Sequence, residues 1–145
     1  MTYPTDPPHR PHPAYPGAGG AGGAGGAGAE PATLRVLVDD VRHFKDGRPA
    51  VVLRTSADAV AYVRALDGRR VDELWLDHDL VGDDTVQPLV DLLVADAARG
   101  RPLSVARIWV HSSNIREGHR VVQELEDAGY PVQRNYAANL WRHSW

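Results

Sequence analysis

Apolar residues along this chain fall into short runs that end abruptly in acidic, histidine or hydroxyl groups. The first run, Leu34 to Val38, ends in Asp39, Asp40 and Arg42. A second, Glu73 to Leu76, ends in Asp77, His78 and Asp79. A third, Val105 to Val110, ends in His111, Ser112, Ser113 and Asn114. Short apolar runs bounded in this way predict strands buried on both faces, hence a parallel or mixed sheet covered by helices. In such sheets ligands bind beyond the carboxyl ends of the strands, so the three polar clusters are expected to converge on one site.

Between the runs the period changes from two to nearly four. Val60, Ala61 and Leu66 mark a helix capped by Thr55 or Ser56 and stopped at Gly68. Leu89, Leu92 and Leu93 mark a second, from about Val86 to Arg99, with Pro88 in its first turn and Thr85 as its cap. Val121, Val122, Leu125 and Ala128 mark a third, opened by Asn114 or a neighbour and closed by Gly129 and Pro131. Pro131 to Tyr136 reads as a last strand, and Trp141 and Trp145 as a patch on a sheet face or edge. The connection from Val41 to Ala50 is too short for an ordinary helical crossover, which leaves the direction of the next strand, around Val51 to Leu53, open. The alternation of strand and helix predicts an α/β, three-layer, flavodoxin-like sandwich with a mostly parallel sheet and a shortened first crossover.

Composition limits the rest. Of the 145 residues, those up to about Ala32 are rich in Pro, His, Gly and Ala, with a Gly/Ala tract from Gly17 to Ala29. Lacking bulky apolar side chains, residues 1–32 are expected to be a disordered tail, and 33–145 to form one domain. His9 and His12 invite a metal reading but have no further ligands beside them. The net charge of −3 argues against duplex DNA as a partner. No apolar run approaches the roughly 20 residues that span a bilayer, so no membrane partner and a cytoplasmic location are expected. The absence of cysteine excludes disulfides, thiolate metal sites and cysteine nucleophiles.

Candidate chemistry follows from the strand ends. Asp39, Asp40 and Asp77, with Asp79 nearby, offer the oxygen ligands that hard cations prefer, Mg²⁺ or Mn²⁺ above all. His78 and His111 are placed to carry protons on either side of a phosphodiester, or else to hydrogen-bond strand-end carbonyls. Arg42 and Arg54 are candidate phosphate clamps. Ser112 and Asn114 can donate to phosphate oxygens at the start of a helix, or simply cap it.

At these positions the sequence resembles a receiver domain, the phosphoacceptor module of two-component signalling. Asp39 and Asp40 match its acidic pair, Asp77 its phosphoacceptor and Ser112 its fourth-strand hydroxyl. Receivers carry a Lys after the fifth strand, where this chain has Arg134, and they carry a first and a last helix that are not evident here. A closer resemblance is to the cyclic-phosphate processing receiver domain family, through VDDVR at Val38 to Arg42, VLRT at Val52 to Thr55, LDHDLVGDDT at Leu76 to Thr85 and HSSN at His111 to Asn114. Local departures are Val81 before Gly82 and Ile115 in place of a Pro. That resemblance implies a receiver-like fold and a role in processing or sensing a cyclic phosphate on a small nucleotide or RNA end.

The expectation for function is metal-assisted phosphoester chemistry. Asp39, Asp40, Asp77 and Asp79 hold the ion, and His78, His111 and Asp77 act in catalysis. Arg42, Arg54, Ser112 and Asn114 bind substrate. Two alternatives stay open: an Asp77 phospho-switch, and a nucleotide sensor without turnover.

Overall fold

The computed structural model describes residues 32–144. The expectations for the N-terminal tail and for Trp145 fall outside them. Strand β1 (Arg35–Val38) leads to β2 (Arg42–Phe44) and β3 (Val51–Leu53), then helix α1 (Ser56–Ala65). There follow β4 (Val71–Leu76), α2 (Gln87–Ala98), β5 (Val105–Val110), α3 (Ile115–Asp127), β6 (Val132–Arg134), a 3-10 turn at Ala138–Leu140 and β7 (Trp141–His143). Five strands form one parallel sheet in the order β3-β1-β4-β5-β6. None of the described helices is long and apolar enough to cross a membrane.

The strand whose direction was open, β3, runs parallel to β1 at the sheet edge. Its crossover contains no helix. Residues 41–50 instead carry β2, which leaves the main sheet and pairs antiparallel with β7. Gly47, at φ 71°, provides the left-handed turn that sends the chain back. Neither β2 nor β7 is legible in the sequence, because each is three residues long and finds its partner about a hundred positions away.

The strand period decides what each face buries. Val36, Val38, Leu74, Leu76, Ile108 and Val110 pack with Ala59, Leu89, Leu93, Val121 and Leu125 from the three helices. The alternate residues Leu37 and Trp75 turn to the other face and pack with Phe44, flanked by Trp109, Leu140 and Trp141. Crossovers β3-α1-β4, β4-α2-β5 and β5-α3-β6 all advance the same way across the sheet, and right-handed connections put such helices on one face. The step from β1 to β3 goes the opposite way, which delivers β2 to the other face. The third layer is therefore the β2–β7 ribbon over an aromatic patch. Trp141 lies edge-on to Trp75 at 5.5 Å between ring centroids, as its expected place on a sheet face implies.

Two of the expected caps are present. Thr55 accepts from Asp58 N–H, and Asn114 accepts from Glu117 N–H. The third differs. Val86 occupies the N-cap of α2 with no side-chain bond, and Thr85 reaches only Gln87 N–H at 3.3 Å. Asp84 is more than a turn residue: its carboxylate accepts from the backbone N–H and hydroxyl of Ser56, an acid at the positive end of α1.

Candidate functional site

The chain reverses its direction of travel across the sheet between β1 and β4, the switch point where α/β sheets open a crevice. Asp39 leaves β1 at this point, its N–H still bonded to Leu53 of β3. Asp77 leaves β4, its N–H bonded to Val38 of β1. Strand pairing thus brings two carboxylates 38 positions apart to one place, and Asp40 joins them. One oxygen from each of the three lies within 4.8 Å of the others.

Each carboxylate is held differently. Asp39 is fully buried. Its Oδ1 accepts from the backbone N–H groups of Val41 and Arg42, and its Oδ2 from His111 Nε2 at 2.8 Å. Burial pushes Asp39 up, but these hydrogen bonds outweigh it and hold the carboxyl below the usual range. Asp77 has fewer donors. Burial, then the charge of Asp39, push it up to about 6 against the opposing pull of Arg42 and the Ser112 hydroxyl. Its Oδ1 is buried without a hydrogen-bond partner.

Arg42, a candidate phosphate clamp from the sequence, lies against the acidic cluster. Its Nη1 is 3.4 Å from Asp39 Oδ2, 3.5 Å from Asp77 Oδ2 and 3.3 Å from His111 O. Arg54 bonds to the main chain of the same turn rather than to the carboxylates. Its guanidinium donates to the carbonyls of Asp39 and Arg42 and meets His43 Nδ1, so it braces the turn that presents the acidic pair. Turn carbonyls need such donors, which draws the guanidinium inward.

The two histidines do not flank a common point. One residue beyond Val110, His111 turns to the ribbon side, 4.4 Å from the Trp141 ring, with no side-chain exposure. One residue beyond Asp77, His78 turns to the helix side, between Asp79 Oδ1 at 2.7 Å, Glu117 Oε2 at 3.5 Å and Arg120 Nη2 at 3.3 Å. Strand alternation separates them. Asp79 also stands apart from the acidic cluster, accepting from the Asn114 amide and pairing its backbone with Thr85. Asn114 accepts with its side-chain oxygen at the α3 cap and gives one amide N–H to Asp79. Ser112 is buried and accepts from Asn114 N–H.

Three neighbours were not singled out from sequence. Glu117 and Arg120, three apart on α3, reach His78; their spacing was the only signal. Tyr136, just past β6, is open to solvent over Arg134. Arg134 itself donates to Ser112 O at 2.9 Å and Val110 O at 3.4 Å. A cleft of about 330 Å³ opens beside the cluster, lined by Arg42, Ser112, Ile115, Arg134, Tyr136 and Trp141 among others. His111 borders it through its main chain, since its side chain is shut off from solvent.

The donor set suits a hard divalent cation. All three candidate ligands are carboxylate oxygens, and Asp77 Oδ1 is a buried acceptor without a hydrogen-bond partner. Sheet order, the acidic pair and the buried Asp beside a hydroxyl together define a receiver-like α/β domain. The family model described as the cyclic-phosphate processing receiver domain matches residues 34–127, and the chain belongs to that family. No curated protein and no solved structure gave a match.

Proposed function

We propose that this domain binds a divalent cation, Mg²⁺ or Mn²⁺, at Asp39, Asp40 and Asp77, and acts there on the cyclic phosphate of a small nucleotide or RNA end. The observation that carries this reading is Asp77 Oδ1, buried without a partner inside a three-carboxylate cluster. Arg42 is placed to meet phosphate oxygens as they approach. Family membership supports the substrate class.

The reaction is hydrolysis of one ring ester. Water adds to phosphorus, one ring P–O bond breaks, and a proton goes to the departing ribose oxygen. The cation, when bound, offsets phosphate charge and lowers the pKa of water. Arg42 orients the phosphate, and Arg54 keeps the Asp39–Arg42 turn in shape. His111 is a positioning residue here: shut off from solvent, it holds Asp39 ionised and aimed at the cluster.

Incubating the full chain with 2′,3′-cyclic nucleotides, with and without Mg²⁺ or Mn²⁺, tests the reading. Metal-dependent appearance of a phosphomonoester is the expected result. Ligand-induced thermal stabilisation without product would make the domain a sensor. Acetyl phosphate labelling lost in Asp77→Asn would establish the phospho-switch instead. Against that last reading, the Arg134 guanidinium is engaged by main-chain carbonyls.

A further inference from the structure

Of the four large hydrophobic residues most open to solvent among those described, two rim the cleft beside the acidic cluster: Ile115, 63% exposed, and Tyr136, 67% exposed. An aromatic ring left this open on a small domain forgoes the burial that usually stabilises it, and at the rim of a cleft it offers a face on which a ligand can stack.

The ring also has a cation packed against it. The Arg134 guanidinium carbon lies 4.9 Å from the Tyr136 ring centre. Arg134 is fixed in turn by the carbonyls of Val110 and Ser112. It also rests against Gly118 of α3, where any Cβ would collide with the guanidinium. A helix interior normally disfavours glycine, so this close approach gives Gly118 a purpose. The outcome is a braced cation–aromatic pair with much of the phenol ring left open.

Both ends of a nucleotide then have a place. Ser112 and Arg42 line the cleft and also contact or neighbour Asp77, so cleft and acidic cluster share a wall. About 330 Å³ is the small end of ligand pockets and accommodates one base with its ribose, not a duplex. Bases of single-stranded ends are commonly taken up by stacking on aromatic side chains.

We propose that this cleft is a nucleobase subsite, in which a base stacks on Tyr136 while its cyclic phosphate reaches the acidic cluster past Ser112. It rests on the reading of that cluster as the phosphate site. Stacking tolerates any base, so the subsite selects nucleotides over base-free cyclic phosphates without selecting one base.

Calorimetry on the full chain with Mg²⁺ compares 2′,3′-cyclic AMP with glycerol 1,2-cyclic phosphate, which has no base. Adenosine, which has no phosphate, is followed through NMR shifts of Tyr136. The cyclic nucleotide is expected to bind about 5- to 150-fold more tightly than the glycerol ester. Tyr136→Ala should erase that advantage and leave the glycerol ester unaffected, while Tyr136→Phe retains it. Equal affinity for the two esters, or a Tyr136→Ala protein that binds cyclic AMP as before, overturns the subsite. So does failure of both adenosine and cyclic AMP to shift Tyr136. If neither ester binds in a metal-dependent way but adenosine still shifts Tyr136, and does not bind Tyr136→Ala, the phosphate reading fails and the base subsite stands.

Discussion

Asp39 Oδ2 lies 2.8 Å from His111 Nε2, and neither side chain is open to solvent. Burial lowers His111 more than its bond to Asp39 raises it, so the ring is neutral near pH 7. A neutral ring facing a carboxylate carries its proton on Nε2, and the buried Nδ1 is left without a hydrogen-bond partner. The pair anchors the acidic cluster to the ribbon side of the sheet through Trp141.

His111→Ala should therefore act on stability and on the cluster together. Losing a donor to a buried carboxylate and opening a void beside Trp141 costs about 2–4 kcal/mol. A pH series separates the histidine from other groups. Its folded pKa lies below the unfolded 6.5, so the unfolded state binds more protons just below that pH and wild-type stability falls as pH drops through it. Asp77 contributes an opposite slope up to about pH 6 in both proteins, so the comparison is the difference. The stability gap between wild type and variant, from urea unfolding between pH 5 and 8, should narrow as pH drops.

Asp77 has the opposite sign. Its folded pKa of about 6 exceeds the ordinary 3.8, so the folded state binds the extra proton and stability falls as pH rises from about 4 to 6. Above that range the buried charge costs about 1–3 kcal/mol. Asp77→Asn should stabilise the metal-free protein by about that amount at pH 7–8, with little gain at pH 4. Denaturant midpoints across the range measure it, and an equal effect at both ends would contradict the shift.

Cation binding competes with that proton. Mg²⁺ affinity should weaken as pH falls below 6, where Asp77 takes up a proton. Asp40→Ala should lower affinity at every pH and be partly rescued by excess Mg²⁺. Titration calorimetry at pH 5, 6 and 7.5 checks both statements; an affinity indifferent to pH and to Asp40 would place the ion elsewhere.

Gly118→Ala sets helix propensity against Arg134. Alanine favours the helix by about 1 kcal/mol, but its Cβ meets the guanidinium, which must move away. Because the obstructing atoms are the far end of a flexible side chain, net stability should change by less than about 1 kcal/mol. Cyclic nucleotide affinity should nevertheless fall, since Arg134 supports both the Ser112 carbonyl and Tyr136. A more stable variant with unchanged affinity would show that Arg134 is dispensable.

Much of the framework was readable along the chain. Apolar runs of four to six residues specified β1, β4 and β5, because a strand buried on both faces must be apolar almost throughout. Thr55 and Asn114 announced their helices by local capping chemistry. The meeting of Asp39 and Asp77 was also legible, since parallel strands deliver their carboxyl ends to one side of a sheet. The part Arg54 plays in bracing the turn was not legible, because a turn's demand for donors cannot be read until the turn exists.

By itself, then, the sequence determined the order of the five main-sheet strands and the three helices, the family motifs and the edge of the sheet that carries the acids; these depend on neighbours within a few residues. Tertiary structure alone decided which face each strand-end side chain takes. It parted His78 from His111, drew Asp79 to Asn114, and joined β2 to β7 across nearly the whole domain. The physical reason is the two-residue period of a strand: one step along the backbone reverses a side chain, and only the packed sheet fixes which residue is the last in the ladder.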